Sequence, residues 1–300
     1  MQNPEETSIK TGIIALIGPP NVGKSTLLNC LLGQKISIVS PKPQTTRNRI
    51  MGIVNGPDYQ LILLDTPGLH SARTPLNQGM VKVALDTLPE VDAILFMIDA
   101  SMAKTRDEAA PFQHLRKANK PVLLAVNKID LVDKKKLLPV LNAYQEMYPF
   151  TALIPISAKS KDGIDTLLAE ILKLMPEGPR LYPEDIPTDA TERFIVGEII
   201  REKIFRRTNQ EVPYATAVVI DAFIEDEVKG ATTIHATILV EKDSQKGIII
   251  GKGGIMLKEI GKAARREIQD LLGMPVMLKL WVKVQKNWST NPRFLTELGL

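Results

Sequence analysis

The nine residues GPPNVGKST, 18–26, constrain this chain more than any other stretch in it. They satisfy G-x-x-x-x-G-K-[ST], and they stand between the apolar run GIIALI and the helix-like STLLNCLLG. A buried strand that ends in a glycine turn and feeds a helix is the context in which this spacing makes a phosphate cradle. Gly18 and Gly23 let the backbone turn its N–H groups inward, and the helix behind them adds its positive end. Lys24 is then placed to reach β- and γ-phosphates, and Ser25 to ligate Mg²⁺. Pro19, Pro20, Asn21, Val22 and Thr26 complete the wrap. The plainer alternative is an ordinary glycine turn, and the register of strand, motif and helix tells against it.

The rest of the first half agrees with that loop. IMGIV, LILLD, AILFMID, VLLAVN and LIPIS are short continuous apolar runs. Helical patterns separate them: one ending near Leu88, one over 107–118, one over 135–148, and GIDTLLAEILKLM. Unbroken rather than alternating strands between helices predict an α/β domain, a mostly parallel sheet covered on both faces. At Met175 the texture changes. PEGPRLYPEDIPTD carries Pro176, Pro179, Pro183 and Pro187 and reads as an extended linker. Beyond it the pattern is α-β-β-α-α-β, with a hairpin turn expected at Lys229–Gly230. The expected division is therefore 1–178, a linker over 179–190, and a smaller α+β domain over 191–300.

The base is read elsewhere. NKID follows VLLAV, at a carboxyl end of the sheet, where open α/β folds bind ligands. The Asp130 carboxylate can accept from guanine N1–H and from its 2-amino group, whereas adenine offers neither donor. Asn127 and Lys128 belong to the same motif, and Ser157, Ala158 and Lys159 after the next strand can close over the base. DTPG, with Asp65, Thr66, Pro67 and Gly68, follows LILL. Asp65 is the expected carboxylate behind Mg²⁺, and the Gly68 N–H can report a γ-phosphate. In SPKPQTTRNR, 40–49, Thr46 is the residue expected to complete the Mg²⁺ shell. Both of these segments are polar, proline-bearing and suited to order–disorder switching.

The ordered set GPPNVGKS, QTTR, DTPG, NKID and SAK resembles a translation-factor-type P-loop GTPase. Ras-like members carry a glutamine after DxxG that positions the attacking water; here that place is Leu69, which cannot orient water. The resemblance implies that catalysis falls to Lys24, Thr46 and Gly68. It also implies that Asn21 helps hold a potassium ion near the phosphates. A turn-forming role for Asn21 stands beside that reading.

KGIIIGKGGIMLKEIGK, 246–262, contains a second glycine loop. GKGG, residues Gly251, Lys252, Gly253 and Gly254, lacks the Walker spacing and has no Ser or Thr after its lysine. It matches GXXG between two helices instead, and so resembles a type II KH domain, whose loop clamps a single-stranded nucleic-acid backbone. Ile248, Ile249, Ile250 and Ile255 are the expected apolar floor. From Lys246 to Lys286 stand nine Lys or Arg against three acids, a net of +6. That is the electrostatic footprint of nucleic-acid binding, although a solvated helix face would read alike.

GTPase motifs followed by a KH domain, with SPKPQTTRNRI, ERFIVGEIIREKI and IIGKGG, resemble the Era family of bacterial GTPases over about residues 12–288. The resemblance implies GTP and GDP with Mg²⁺ as ligands. It implies binding near the 3′ end of 16S ribosomal RNA on the small ribosomal subunit, an assembly role, and GTP favouring the RNA-competent state. It further implies cytoplasmic residence with peripheral association at the inner membrane, and a monomeric chain is expected. The alternatives are a GTP-gated RNA chaperone unrelated to ribosomes and a membrane-associated signalling GTPase. Bulk properties fit an intracellular chain. No apolar run is long enough to cross a bilayer, and MQNPEETSIK is unlike a secretory signal. The single Cys30 excludes an internal disulfide and is expected as a buried helix residue rather than a reactive thiol. His70, His114 and His235 lack metal-ligand spacing.

Overall fold

The computed structural model describes residues 8–69, 74–102, 109–226 and 230–297. His70, Lys229 of the expected turn and the expected helix start at Asp107 lie outside the described residues. The chain divides into two compact units: residues 1–37, 46–73 and 77–189, and residues 38–45, 74–76 and 190–300.

The first unit runs β1 (Ile9–Ile17), α1 (Lys24–Leu32), β2 (Ile50–Asn55), β3 (Tyr59–Asp65), α2 (Pro75–Asp86), β4 (Ala93–Asp99), α3 (Ala109–Ala118), β5 (Val122–Asn127), α4 (Lys134–Met147), β6 (Ala152–Pro155), α5 (Ile164–Leu174) and β7 (Glu177–Gly178). The sheet order is β2-β3-β1-β4-β5-β6, with β7 paired to the start of β1. β2 and β7 are antiparallel and the other pairings parallel. Every residue of β4 and β5 is buried, which is why these strands read as unbroken apolar runs. Parallel strands end on one edge, so Asp65, Asp99 and Asn127, the last residues of β3, β4 and β5, face the same crevice.

The proline-bearing stretch is extended, since proline cannot continue a helix. It is not loose. The Gln60 Oε1 accepts from the amides of Leu181 and Tyr182 at 2.7 and 2.9 Å, and its Nε2 donates to the Tyr182 carbonyl at 2.8 Å. Arg180 donates to the Gly56 carbonyl at 3.0 Å, and the Ile53 amide donates to the Pro187 carbonyl at 2.8 Å. The stretch therefore covers the open edge of β2, where an unpaired strand would otherwise invite aggregation.

The second unit runs α6 (Glu192–Arg207), β8 (Ala217–Asp226), β9 (Ala231–Val240), α7 (Asp243–Ile250), α8 (Ile255–Leu272), β10 (Val276–Val284) and α9 (Pro292–Glu297). Its sheet order is β10-β9-β8, with β9 antiparallel to β8 and parallel to β10. Thr191 caps α6 by accepting from the Phe194 amide at 3.3 Å. Alternation along β9 buries Thr232, Ile234, Ala236, Ile238 and Val240, and breaks only at its end, where Leu239 is buried as well. Residues 38–45 also belong to this unit. Lys42 Nζ donates to the carbonyls of Phe205 and Thr208 at the end of α6, where helix carbonyls lack partners, and Arg206 donates to the Val39 carbonyl at 3.0 Å.

Candidate functional site

Lys24 is buried at the start of α1, and its Nζ donates to the carbonyls of Gly18 and Pro19, both at 3.1 Å. Burial outweighs the attraction of Asp65 and lowers its pKa to about 8. An ammonium stripped of water and ringed by the carbonyls of its own loop is suited to meet a phosphate charge. Asp65 is the mirror image. Burial pushes its carboxyl upward, against the Lys24 charge and hydrogen bonds from Ser25, Ser37 and Thr46. The Ser25 and Ser37 hydroxyls donate to Oδ2 at 2.6 and 2.9 Å, and the Ser25 and Thr46 hydroxyls lie 2.9 Å apart. The Asp65 Oδ1 is buried with no hydrogen-bond partner.

One carboxylate with a bare oxygen, among hydroxyls, is hard-oxygen chemistry. It suits Mg²⁺, which takes one or two carboxylates and completes its shell with water and phosphate oxygens. Among the described residues no group of three or more His, Cys, Asp or Glu could hold a metal by itself. The residues present therefore fit a magnesium ion arriving with a nucleotide, which Ser25, Thr46 and Asp65 would hold. Such an ion would neutralise charge on the β- and γ-phosphates.

The DTPG loop is fixed against the cradle. The Thr66 hydroxyl donates to the Leu16 carbonyl at 2.7 Å, and the Leu69 amide donates to the Gly18 carbonyl at 3.0 Å. A Cβ on Gly68 would sit 2.7 Å from the Pro20 nitrogen, so only glycine permits this approach. Leu69 packs into the core of the sheet, and its apolar side chain has no group that could orient water.

Asn127 ties the base side to the phosphate side. Its Nδ2 donates to the Val22 carbonyl at 2.7 Å, and its Oδ1 accepts from the Ala158 amide at 3.0 Å. Ser157 donates to Asp130 Oδ1 at 2.7 Å and orients that exposed carboxylate. Lys128 stands in a left-handed conformation and pairs with Asp99 at 2.6 Å. Burial opposes the charge of Asp99, yet hydrogen bonds from Lys128 and Ser101 hold its carboxyl below the ordinary range. Lys159 is exposed beside this loop. Asn21 is exposed with φ 63°, a turn conformation. Cys30 is half-buried rather than buried, and desolvation raises its thiol pKa, which disfavours the reactive thiolate.

Sequence reasoning missed Ser37 and Asn29. Asn29 accepts from the amides of Ile36 and Ser37 and donates to the Ser37 carbonyl, which aims the Ser37 hydroxyl at Asp65. Their only signal is polar character inside an apolar context.

In the second unit GKGG forms a tight turn between α7 and α8, with φ of 70° at Gly251, 61° at Gly253 and 78° at Gly254. Those angles explain the glycines. The turn stands at the mouth of a groove of about 500 Å³ lined by Gly254, Leu257, Lys258, Gly261, Lys262, Arg265, Leu278 and Leu280. The expected isoleucine floor is corrected here. Ile249 is wholly buried in the core, and none of Ile248, Ile249, Ile250 and Ile255 lines the groove. Leu257, Leu278 and Leu280 do so instead, with Lys258, Lys262 and Arg265 around them. Glu267 is turned inward to a buried Lys203 on α6, so one of the few acids of this segment is neutralised.

A mostly parallel sheet with a Walker loop, a buried carboxylate among hydroxyls and an NKID motif, followed by a basic GXXG module, defines a P-loop GTPase with a KH domain. The family model for a 50S ribosome-binding GTPase matches residues 13–128, and that for a KH domain matches residues 211–289. GTPase Era of Geobacter metallireducens is 53% identical over 98% of this chain and 99% of its own. GTPase Era of Lacticaseibacillus paracasei is 51% identical over 96% of each chain. A crystal structure of Era in complex with MgGDPNP and nucleotides 1506–1542 of 16S ribosomal RNA superposes with TM-score 0.94 at 44% identity, covering 97% of this chain and 99% of that one. The chain belongs to the Era family of GTPases.

Proposed function

We propose that this chain is a GTP-hydrolysing switch that binds single-stranded RNA at the 3′ end of 16S ribosomal RNA and assists assembly of the small ribosomal subunit in the cytoplasm. The observation that carries it is the basic groove behind the GKGG turn, joined in one chain to a complete guanine-nucleotide site. The relative crystallised with 16S nucleotides supports the choice of RNA. The description of the first family model names the other ribosomal subunit, but its match ends at residue 128 and leaves the groove out. It therefore bears on nucleotide chemistry alone.

In this reading the loop 18–26 wraps the phosphates, Lys24 meets their charge, and Ser25, Thr46 and Asp65 hold Mg²⁺. Thr66 and Pro67 carry the Gly68 N–H to the γ-phosphate. Asn127, Lys128, Asp130, Ser157, Ala158 and Lys159 enclose guanine. Gly251, Lys252, Gly253 and Gly254 clamp the RNA backbone. Crosslinking to cellular RNA with GTP or GDP present tests the whole. The 3′ end of 16S RNA should dominate and should be enriched with GTP. Recovery of unrelated transcripts would favour the chaperone alternative. No helix among the described residues is long and apolar enough to cross a membrane. Preference for anionic vesicles over RNA at matched salt would favour the membrane alternative.

Potassium is the second element of this proposal. With Leu69 in the core, the charge that speeds hydrolysis must come from elsewhere, and an ion beside Asn21 would supply it. Exchanging potassium for sodium at equal ionic strength should slow turnover, and Asn21→Ala should remove most of the difference. Equal rates in the two salts would leave Asn21 as a turn residue only.

A further inference from the structure

The strand that walls the groove has a second face. On β10, Leu278 and Leu280 point into the groove. The alternate residues Met277, Lys279, Trp281 and Lys283 are all exposed and point to the other side of the sheet. Register extends that face across the strands: Met277 lies beside Thr233 and Ile224, Lys279 beside His235 and Ala222, and Trp281 beside Thr237 and Val219. Trp281 is 49% exposed, Met277 57% and Ile224 54%. Among the described residues this face is open from Met277 to Trp281, whereas at its Lys283 end the register neighbours Leu239 and Ala217 are buried.

A half-exposed tryptophan between two lysines calls for an explanation, since indole is highly buried on average. Its position is set by packing: the indole and the His235 ring meet edge to face with centroids 5.2 Å apart. The His235 Nε2 is buried there without a hydrogen-bond partner. Asp221, at a β-bulge on β8, is engaged by the Thr237 hydroxyl at 2.7 Å, and Asp226, which shares the face, stands at the far end of β8. Near β10 the face is thus basic and aromatic, the combination that binds unpaired nucleotides by stacking and phosphate attraction.

We propose that the outer face of β10 is a second RNA-binding surface, on which a base stacks against Trp281 and flanking phosphates meet Lys279 and Lys283. The occupant is the continuation of the strand held in the groove. β10 is the edge strand, so RNA leaving the groove crosses a single strand to reach the indole. This rests on the RNA reading of the groove and extends it from a GXXG clamp to a longer footprint. Pure polyanion attraction would not require an aromatic side chain held in place between the lysines.

The test uses the full chain with a non-hydrolysable GTP analogue and two probes from the 3′ end of 16S RNA. One is a tetranucleotide, sized for the GXXG clamp, and the other is its extension to about twelve nucleotides. Tryptophan emission needs no substitution. The chain has two tryptophans, and Trp288 is buried with its Nε1 donating to the Ala215 carbonyl at 3.0 Å. The longer RNA should quench Trp281 emission and the tetranucleotide should not. Lys279→Glu with Lys283→Glu should weaken the longer RNA about tenfold or more, leave the tetranucleotide within about twofold, and flatten the salt slope by about one to two units. Trp281→Leu should weaken the longer RNA about fivefold without changing that slope. Equal affinity of wild type and variants for the longer RNA, with no quenching, would overturn the proposal while the groove reading stands. Failure of the wild type to bind the tetranucleotide would overturn both. Quenching by anionic vesicles but not by the longer RNA would assign the face to lipid and overturn the proposal.

Discussion

Asp130→Asn is expected to exchange guanine selectivity for xanthine selectivity. Affinity for GTP should fall about a thousandfold, and affinity for XTP should rise to overtake it. The reason is the hydrogen-bond inventory of the two side chains. A carboxylate only accepts, so it matches the N1–H and the 2-amino group of guanine. An amide accepts through oxygen and donates through nitrogen, so it matches the N1–H and 2-carbonyl of xanthine. Facing guanine, the same amide would point a donor at a donor. The structure favours a clean exchange. Ser157 donates to Asp130 Oδ1 at 2.7 Å, and an asparagine oxygen in that place accepts the same bond. Asn127, which staples Val22 to Ala158, is untouched, so the phosphate cradle should keep its shape. The measurement is competitive titration of GTP, XTP and ATP on wild type and variant. A variant that still prefers GTP would show that Asp130 does not read the base.

What the sequence disclosed followed the range of the interactions. The nucleotide motifs are local: each is a few consecutive residues at the end of a strand, and strand ends can be read from apolar runs. Lys24, Ser25, Asp65, Asn127 and Asp130 were therefore legible, and parallel pairing carries their strands to one edge. Ser37 was not. Its hydroxyl reaches Asp65 only because Asn29, a helix turn away from the cradle, gathers the loop around 36–37. The groove floor failed for a related reason. Ile248, Ile249 and Ile250 are consecutive on a helix, and consecutive residues face different directions. The phase of α7 turns Ile249 into the core, and the leucines that do line the groove come partly from β10, across the fold. The proline-bearing stretch was read as extended from backbone chemistry, which is local. Its attachment through Gln60 depends on a side chain more than a hundred residues earlier, and composition cannot see that.

Lys252→Asp with Gly253→Asp is expected to weaken binding of single-stranded RNA severely while leaving guanine-nucleotide affinity within about twofold. The choice of positions matters. A Cβ at Gly251 would meet Met256 at 2.7 Å and disturb the start of α8. At Gly253 it would meet nothing within 4 Å, and φ 61° is a conformation that aspartate tolerates better than most residues. Lys252 and Gly253 are both exposed, so neither change empties the core. The cost to the fold should be about 1 kcal/mol, from the strain of a side chain at φ 61°. The cost to binding is larger in kind. Lys252→Asp reverses a charge where phosphate must lie, and Gly253→Asp adds both charge and bulk where two backbones must approach. RNA affinity should drop on the order of a hundredfold, and the residual binding should depend less steeply on salt because fewer counterions are released. The α8 amino end behind Gly254 keeps its positive dipole, so introduced aspartates would also compete with phosphate for it. Both affinities are to be measured on one folded sample, by titration with a guanine nucleotide and then with a single-stranded oligonucleotide from the 3′ end of 16S RNA. Unchanged RNA affinity would reduce the turn to a joint between α7 and α8, and the groove with Lys258, Lys262 and Arg265 would have to hold RNA without a clamp.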